Sequence, residues 1–289
     1  MAMLGNSTTI AALAIALIAS LPQSVCASEP AVASPWVKDH STAVRLIGGG
    51  AVHGGGSARL FAGLEIRLDE GWKTYWRNPG SSGVPPRLDW KGSENLAAAT
   101  VLFPAPERFA DKEGDTVGYK KAVLLPIAVQ AQDPTKPVVL KLALEYGVCR
   151  EVCIPVQPNL TLTLSPDAIS RPAGSGLVAA LATVPRAGQA RLPSDPVVKV
   201  IKVDLAAAKP SIVIDVEFSG TDKGADVFLE APEGLWIPLA KPIAGGSKTL
   251  RRFEVDLTDG ADIADLKGRT ILLTLVSEAG QSEASFKLE

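Results

Sequence analysis

The sequence is poor in the residues that the commonest site chemistries need. Only two histidines occur, His40 and His53, so His-rich metal centres and most histidine-dependent catalysis have little to work with. There is no basic excess. Lys and Arg number 29 against 31 Asp and Glu, a formal charge of -2, and no nucleic-acid-binding surface is indicated. Aromatics are only 5% of the chain and cysteines number three. What is present is ordinary for a globular protein: 46% hydrophobic and 21% charged residues in 289. That composition excludes disorder for most of the chain, and the length suits one large or two modest domains.

The first 27 residues carry no charged side chain, and Ile10 to Leu21 is an unbroken run of Ile, Ala, Leu and one Ser. The run has the length of a secretory h-region and falls short of the about 20 apolar residues a bilayer-spanning helix wants. Val25 and Ala27 occupy the small-residue positions of a cleavage site. The expectation is therefore a cleaved signal peptide over 1–27, although its n-region lacks Lys and Arg, and a mature chain starting at Ser28. Gln23, Ser24 and Val25 before Cys26 do not suit a lipoprotein signal. Cleavage after Ala27 removes Cys26 and leaves Cys149 and Cys153, an even count in a disulfide-permissive compartment. No other segment is long enough to span a membrane.

From Val44 to Ser165 short alternating runs are broken by Gly and Pro. Leu64–Leu68, Leu140–Tyr146 and Leu160–Leu164 read as half-buried strands. The stretch 166–196 has a different composition, Pro- and Gly-rich with one short helix expected over Leu177–Val184, and reads as a linker. Beyond it, Ile212–Phe218, Phe253–Leu257, Ile271–Leu275 and Phe286–Leu288 alternate again. The expected fold is all-β: one β-sandwich domain over 28–166, a linker over 167–196 and a second β-sandwich over 197–289. Periodicity favours sandwiches without separating them from barrels.

The chemistry concentrates in Tyr146-Gly147-Val148-Cys149-Arg150-Glu151-Val152-Cys153-Ile154-Pro155. In a straight strand, Cα atoms four residues apart are separated by roughly 13 Å, whereas a disulfide needs about 4.4–6.8 Å. If the two sulfurs bond, the chain between them turns back on itself, as a helical turn or a tight loop. Three readings stand. Closing a five-residue ring contributes only about 2 kcal/mol in the chain-entropy model, so a structural staple is the weaker reading and redox exchange the favoured one. Metal binding comes last, because neither histidine is near in sequence; Cu(I), which accepts few soft ligands, is the metal to keep in view. Arg150 favours a thiolate and Glu151 opposes it, so local charge does not choose the attacking sulfur.

Several stretches together resemble a known family. Gly71-Trp72-Lys73-Thr74-Tyr75-Trp76-Arg77-Asn78-Pro79-Gly80, then Val84-Pro85-Pro86, Gly118-Tyr119 with Val123–Ile127, and finally Tyr146–Cys149 with Cys153-Ile154-Pro155 are similar to the N-terminal periplasmic domain of the thiol:disulfide interchange protein DsbD family. Within it they look most like the suppressor-of-copper-sensitivity, ScsB-like, group. The resemblance runs from about Trp36 to Ser165, and the linker and second β domain resemble the longer periplasmic region of ScsB-like members. It implies immunoglobulin-like sandwiches, a periplasmic location and a cysteine pair at one end of the strands under a cap loop, here around Pro106 to Tyr119. It further implies that Cys153 forms the mixed disulfide and Cys149 resolves it, with no cofactor. The implied partners are a separate membrane thiol reductase and periplasmic thioredoxin-like proteins, disulfide isomerases or cytochrome c maturation factors. Tyr75 matches an aromatic near the pair. The family's cap carries an aromatic over the disulfide, whereas the middle of this cap is Asp111-Lys112-Glu113-Gly114, with Phe109 the nearest aromatic and Tyr119 at its end. The alternative is a partner-docking or Cu(I)-holding module, which would use Cys149 and Cys153 as ligands.

Other residues read as structural. Trp72 and Trp76 suit core anchors as well as a wall beside the disulfide. The Gly-rich stretch 48–56 around His53 lacks the Lys-Ser/Thr ending of a phosphate loop and reads as a hairpin or loop. Lys120-Lys121 and Arg251-Arg252 read as solvated strand ends, and the sequon at Asn159 as a chance match.

Overall fold

Alternation of apolar and polar residues becomes a pair of stacked sheets twice over. The computed structural model describes Met1 and residues 33–289 apart from 55–56, 112–113, 220, 233, 248 and 259–261. The expected signal segment 1–27 and Cys26 lie outside the described residues. In the first half the strands are β1 (Val37–Asp39), β2 (Thr42–Gly54), β3 (Ser57–Leu68), β4 (Lys73–Gly80), β5 (Arg87–Asp89), β6 (Leu96–Val101), β7 (Glu107–Phe109), β8 (Thr116–Lys120), β9 (Ala122–Ala131), β10 (Val138–Cys149), β11 (Cys153–Val156) and β12 (Asn159–Leu164). One sheet has the order β1-β2-β3-β9-β6; the other runs β11-β10-β4-β8-β7, with β12 and β5 also on β10. All these pairings are antiparallel.

Side-chain parity decides what each face does. Leu140, Leu142 and Leu144 of β10 are buried in one core with Leu46, Leu64, Ile66, Leu125 and Ile127 of the facing sheet. Lys141, Ala143 and Glu145 alternate with them, as the sequence pattern implies. The last four residues of β10, Tyr146 to Cys149, are buried without alternation, so this end of the strand is covered on both faces. That end carries the cysteines.

The second half contains β13 (Arg186–Ala187), β14 (Val197–Asp204), β15 (Ser211–Glu217), β16 (Asp226–Glu230), β17 (Lys241–Gly246), β18 (Leu250–Asp256), β19 (Thr270–Ser277) and β20 (Gly280–Lys287). They form the sheets β13-β20-β19-β16 and β14-β15-β18-β17, which close over Ile212, Ile214, Val216, Phe253, Val255, Ile271 and Leu273. The two sandwiches also touch. Phe228 and Val276 of the second pack into the core of the first, with the Trp76 and Phe228 rings 5.7 Å apart. No helix among the described residues is long and apolar enough to cross a membrane.

The expected linker is tied down along its length. After a 3-10 turn at Pro166–Ser170 and the helix α1 (Ser175–Ala182), it pairs in parallel with β20 through β13. Its first half lies on the Gly-rich strand: Ala51 N–H donates to the Arg171 carbonyl at 2.7 Å, and Ala173 and Gly174 donate to the Ala51 and Gly49 carbonyls. Here glycine is required. Gly50 has φ +94°, and a Cβ on it would sit 2.6 Å from the Arg171 carbonyl oxygen; a Cβ on Gly49 would sit 2.2 Å from Leu177. The Gly-rich run is thus a bulged hairpin strand that admits the linker, as a structural reading of it requires. At the far end Asp195, fully buried, accepts from Arg186 and from the Leu192 N–H.

Candidate functional site

Cys149 ends β10 and Cys153 begins β11, directly opposite each other in an antiparallel hairpin. Arg150, Glu151 and Val152 make the turn, closed by the Arg150 N–H on the Val152 carbonyl. The sulfurs are bonded, with Cα atoms 4.2 Å apart. The chain therefore turns back as the spacing demands, by extending the strand through Gly147 and folding it into a hairpin, with a tight turn and no helical one. The two cysteines differ in access. Cys149 is 2% exposed, whereas Cys153 is exposed.

Tyr75 covers the buried sulfur. On β4 the even residues Thr74 and Trp76 face the core, and the odd residues Lys73 and Tyr75 face outward on the side of Cys149, which is paired across the sheet with Lys73. The Tyr75 hydroxyl donates to Cys149 Sγ at 2.7 Å and lies 3.2 Å from Cys153 Sγ. Its ring is seated by two glycines. A Cβ on Gly147 would come 3.2 Å from Cε2 of the ring, and one on Gly83 would come 2.8 Å from Cδ1. The resemblance supplied Tyr75; the roles of Gly147 and Gly83 became visible only with the strands paired. Burial, and then the Asp111 charge, push the Tyr75 phenol above its ordinary range, so it stays a protonated donor.

A charged cluster adjoins this pair. The Lys73 ammonium, largely buried, bonds the Asp111 carboxylate and the Thr116 hydroxyl, and Thr116 also donates to Asp111 at 2.5 Å. Burial pushes the Asp111 carboxyl up, but the Lys73 and Thr116 hydrogen bonds outweigh it and hold the group below the usual carboxylate range. Lys73 and Lys120 lie 5.4 and 4.3 Å from the centre of the Phe109 ring. Sequence reasoning named none of Lys73, Asp111 and Thr116 as site residues; the signal was the register that sets Lys73 beside Cys149, which needs the sheet.

The other expected site residues divide. Phe109, expected in a cap over the pair, is buried in the hairpin of β7 and β8, against the two lysines. Tyr119 does not join the site. It pairs with Thr74 and so points to the core face, where its hydroxyl donates to the Pro104 carbonyl at 2.8 Å and burial pushes its phenol well up. Trp76 is a core residue, fully buried, while Trp72 is half-buried with the Arg150 guanidinium 5.8 Å over its ring.

A sandwich that presents one exposed and one buried sulfur of a bonded pair, with a phenol on both, is built for thiol:disulfide interchange. Residues 57–165 match the family model described as thiol:disulfide interchange protein DsbD, N-terminal, so this segment is similar to a DsbD N-terminal domain. Among solved structures the chain is similar to the N-terminal periplasmic domain of ScsB from Proteus mirabilis, with a TM-score of 0.65 and 20% identity, over 90% of this chain and 99% of that one. At that identity the likeness shows the fold, and its coverage takes in both sandwiches. A search of curated proteins gives no match.

Proposed function

We propose that this protein relays reducing equivalents in the periplasm through the Cys149/Cys153 pair, taking them from a membrane thiol reductase and passing them to thioredoxin-like proteins or disulfide isomerases. The observation that carries the reading is the asymmetry of the pair: Cys153 exposed, Cys149 buried under the Tyr75 hydroxyl. In the reducing direction the Cys153 thiolate attacks one sulfur of a partner's disulfide. The Cys153–partner bond forms as the partner's own bond breaks, and the partner's second sulfur leaves as a thiolate and takes a proton. Cys149 then attacks Cys153, the internal disulfide forms, and the partner's first sulfur leaves. Two electrons and two protons have moved to the partner.

Recharging runs the same steps backward. An incoming thiolate reaches the exposed Cys153, so Cys149 is the leaving group. The Tyr75 O–H donates to the sulfur on which charge then develops, and a lower leaving-group pKa speeds departure. Burial and the Asp111 charge keep that phenol protonated, which is the state a donor needs. In the Cu(I) reading both sulfurs would have to be reduced; in this structure they are bonded to each other.

The test is capture. A Cys149→Ala variant should accumulate a mixed disulfide with a periplasmic partner through Cys153, and Cys153→Ala should not. If neither single-cysteine variant yields a mixed disulfide, the relay is wrong.

A further inference from the structure

At the end of the first sandwich remote from the cysteines, the core side chains shrink. β9 buries Val123, Leu125, Ile127 and Val129 and then ends on Ala131, while β3, paired with it, starts on Ser57 and Ala58. Facing sheets stand about 10 Å apart and are ordinarily filled by interdigitating side chains, so small residues at this end leave space. The space is a pocket of about 510 Å³ bounded by β3, β6, β9, the start of β10 and the 3-10 turn Pro166–Ser170. Ala58, Ala98, Ala128 and Ala131 line it together with Ile169 of the turn, which is 39% exposed. β10 runs from the pocket at Val138 to the sulfur at Cys149, roughly 35 Å along the strand at about 3.3 Å a residue. The pocket and the disulfide therefore lie at opposite ends of the same strand.

Charge at the pocket has one sign. Among the described residues the lining holds no carboxylate and no aromatic ring, and its two charged members, Arg59 and Lys136, are both cations. Lys136 meets Asp133 at 3.1 Å in an exposed pair, of the kind that contributes little. Arg59 is exposed and has no ion-pair partner among the described residues. A flat ring finds no stacking surface here, a cation is repelled, and an uncharged chain leaves Arg59 unused. We propose that the pocket binds an aliphatic chain ending in an anionic head, with the chain along the alanines and the head at Arg59. Its volume falls within the range of small-molecule sites, about 300–1,000 Å³. An arginine suits both parts of such a ligand, since its stem packs on apolar surface while its planar fork bonds an anion. A free fatty carboxylate and the acyl chain of an anionic phospholipid share this chemistry. Nothing in the binding uses the cysteine pair.

The experiment uses the full chain with its disulfide intact. Decanoate and decyltrimethylammonium, the same chain with heads of opposite sign, are titrated by calorimetry below the concentrations at which they form micelles. Decanoate should bind one to one and the cation at least tenfold more weakly. Arg59→Gln should weaken decanoate about tenfold, the loss of one charge-assisted hydrogen bond at a partly solvated site. Ala98→Leu fills the pocket from an exposed position on the edge strand β6, where the fold tolerates it, and should weaken decanoate at least tenfold. Lys209→Gln, which removes an exposed cation from the second sandwich, should bind as wild type does. Co-sedimentation with phosphatidylglycerol vesicles, and not with phosphatidylcholine ones, that Ala98→Leu abolishes would assign the chain to a lipid; decanoate binding without vesicle binding would assign it to a free carboxylate. Binding of neither probe, equal binding of both heads, or wild-type affinity for decanoate in Arg59→Gln and Ala98→Leu would overturn the proposal. An equal loss in Lys209→Gln would also overturn it, because that would be attraction to net charge. Failure here leaves the mixed-disulfide capture untouched, and the reverse also holds.

Discussion

Replacing Tyr75 by Phe removes one oxygen and little else, since the ring remains seated between Gly147 and Gly83. In wild type the hydroxyl donates to Cys149 Sγ at 2.7 Å. A hydrogen bond to a charged acceptor is worth about 1.5–3 kcal/mol, and Cys149 is buried, so water does not replace it. The bond to a neutral disulfide sulfur is much weaker, and most of that energy favours the reduced, ionised state. At about 1.36 kcal/mol per pKa unit, the Cys149 thiol of Tyr75→Phe should titrate about 1–2 units higher than in wild type. For a two-electron couple about 30 mV corresponds to 1.4 kcal/mol, so where the thiolate is the populated reduced form the reduction potential should fall by roughly 30–60 mV. Reduction of the disulfide by an external thiol should slow, because Cys149 becomes the poorer leaving group. The assay is thiolate absorbance against pH in Tyr75→Phe and wild type, each with Cys153→Ala so that only Cys149 titrates in this region. An unchanged Cys149 pKa, with unfolding midpoints alike, would refute the role given to the phenol.

Gly147→Val places methyl groups where the Tyr75 ring lies, since even a Cβ would be 3.2 Å from that ring; it should reproduce the Tyr75→Phe pKa shift and destabilise by about 1–3 kcal/mol from overpacking, both read by titration and urea unfolding. Lys73→Met removes the ammonium from Asp111 and should cost about 1–3 kcal/mol at neutral pH. The folded Asp111 carboxyl lies below its ordinary value, so its stabilisation is complete above the unfolded value of about 3.9 and is lost as pH falls through the folded one; the difference between wild type and Lys73→Met in urea melts should shrink below about pH 4, and a gap that persists in acid would contradict the pairing. Gly50→Ala must hold φ +94° and place a Cβ 2.6 Å from the Arg171 carbonyl; a destabilisation of about 1–3 kcal/mol, with faster amide exchange at Ala51 and Ala173, is expected.

The cysteine pair and Tyr75 were legible because both are local: a spacing of four residues and a motif in which each residue type is unusual. Strands such as Leu140–Tyr146 and Ile212–Phe218 were legible from alternation, since the apolar residues at every second position of each meet a core. The rest needed the partner strand. Tyr119 stands beside Gly118 in a site motif, yet its pairing with Thr74 turns it to the core face, and only register tells one face from the other. Nothing in the sequence marks the place of Lys73 beside Cys149, which is set by the pairing of β4 with β10. The short edge strand β7 has only three residues and so shows no period, and the all-exposed β17 shows none either. Glycine at 48–50 suits a hairpin or loop by composition, and it serves a hairpin strand that must let the linker approach.

The central claim is that Cys149–Cys153 is a working exchange pair. Its reduction potential, measured on the full chain by equilibration against a glutathione series, tests that most directly. A value above about -300 mV, with the disulfide reduced while the protein remains folded, is the predicted result. A value well below it, with the bond resisting reduction until the chain unfolds, would make the pair a structural staple and contradict the account.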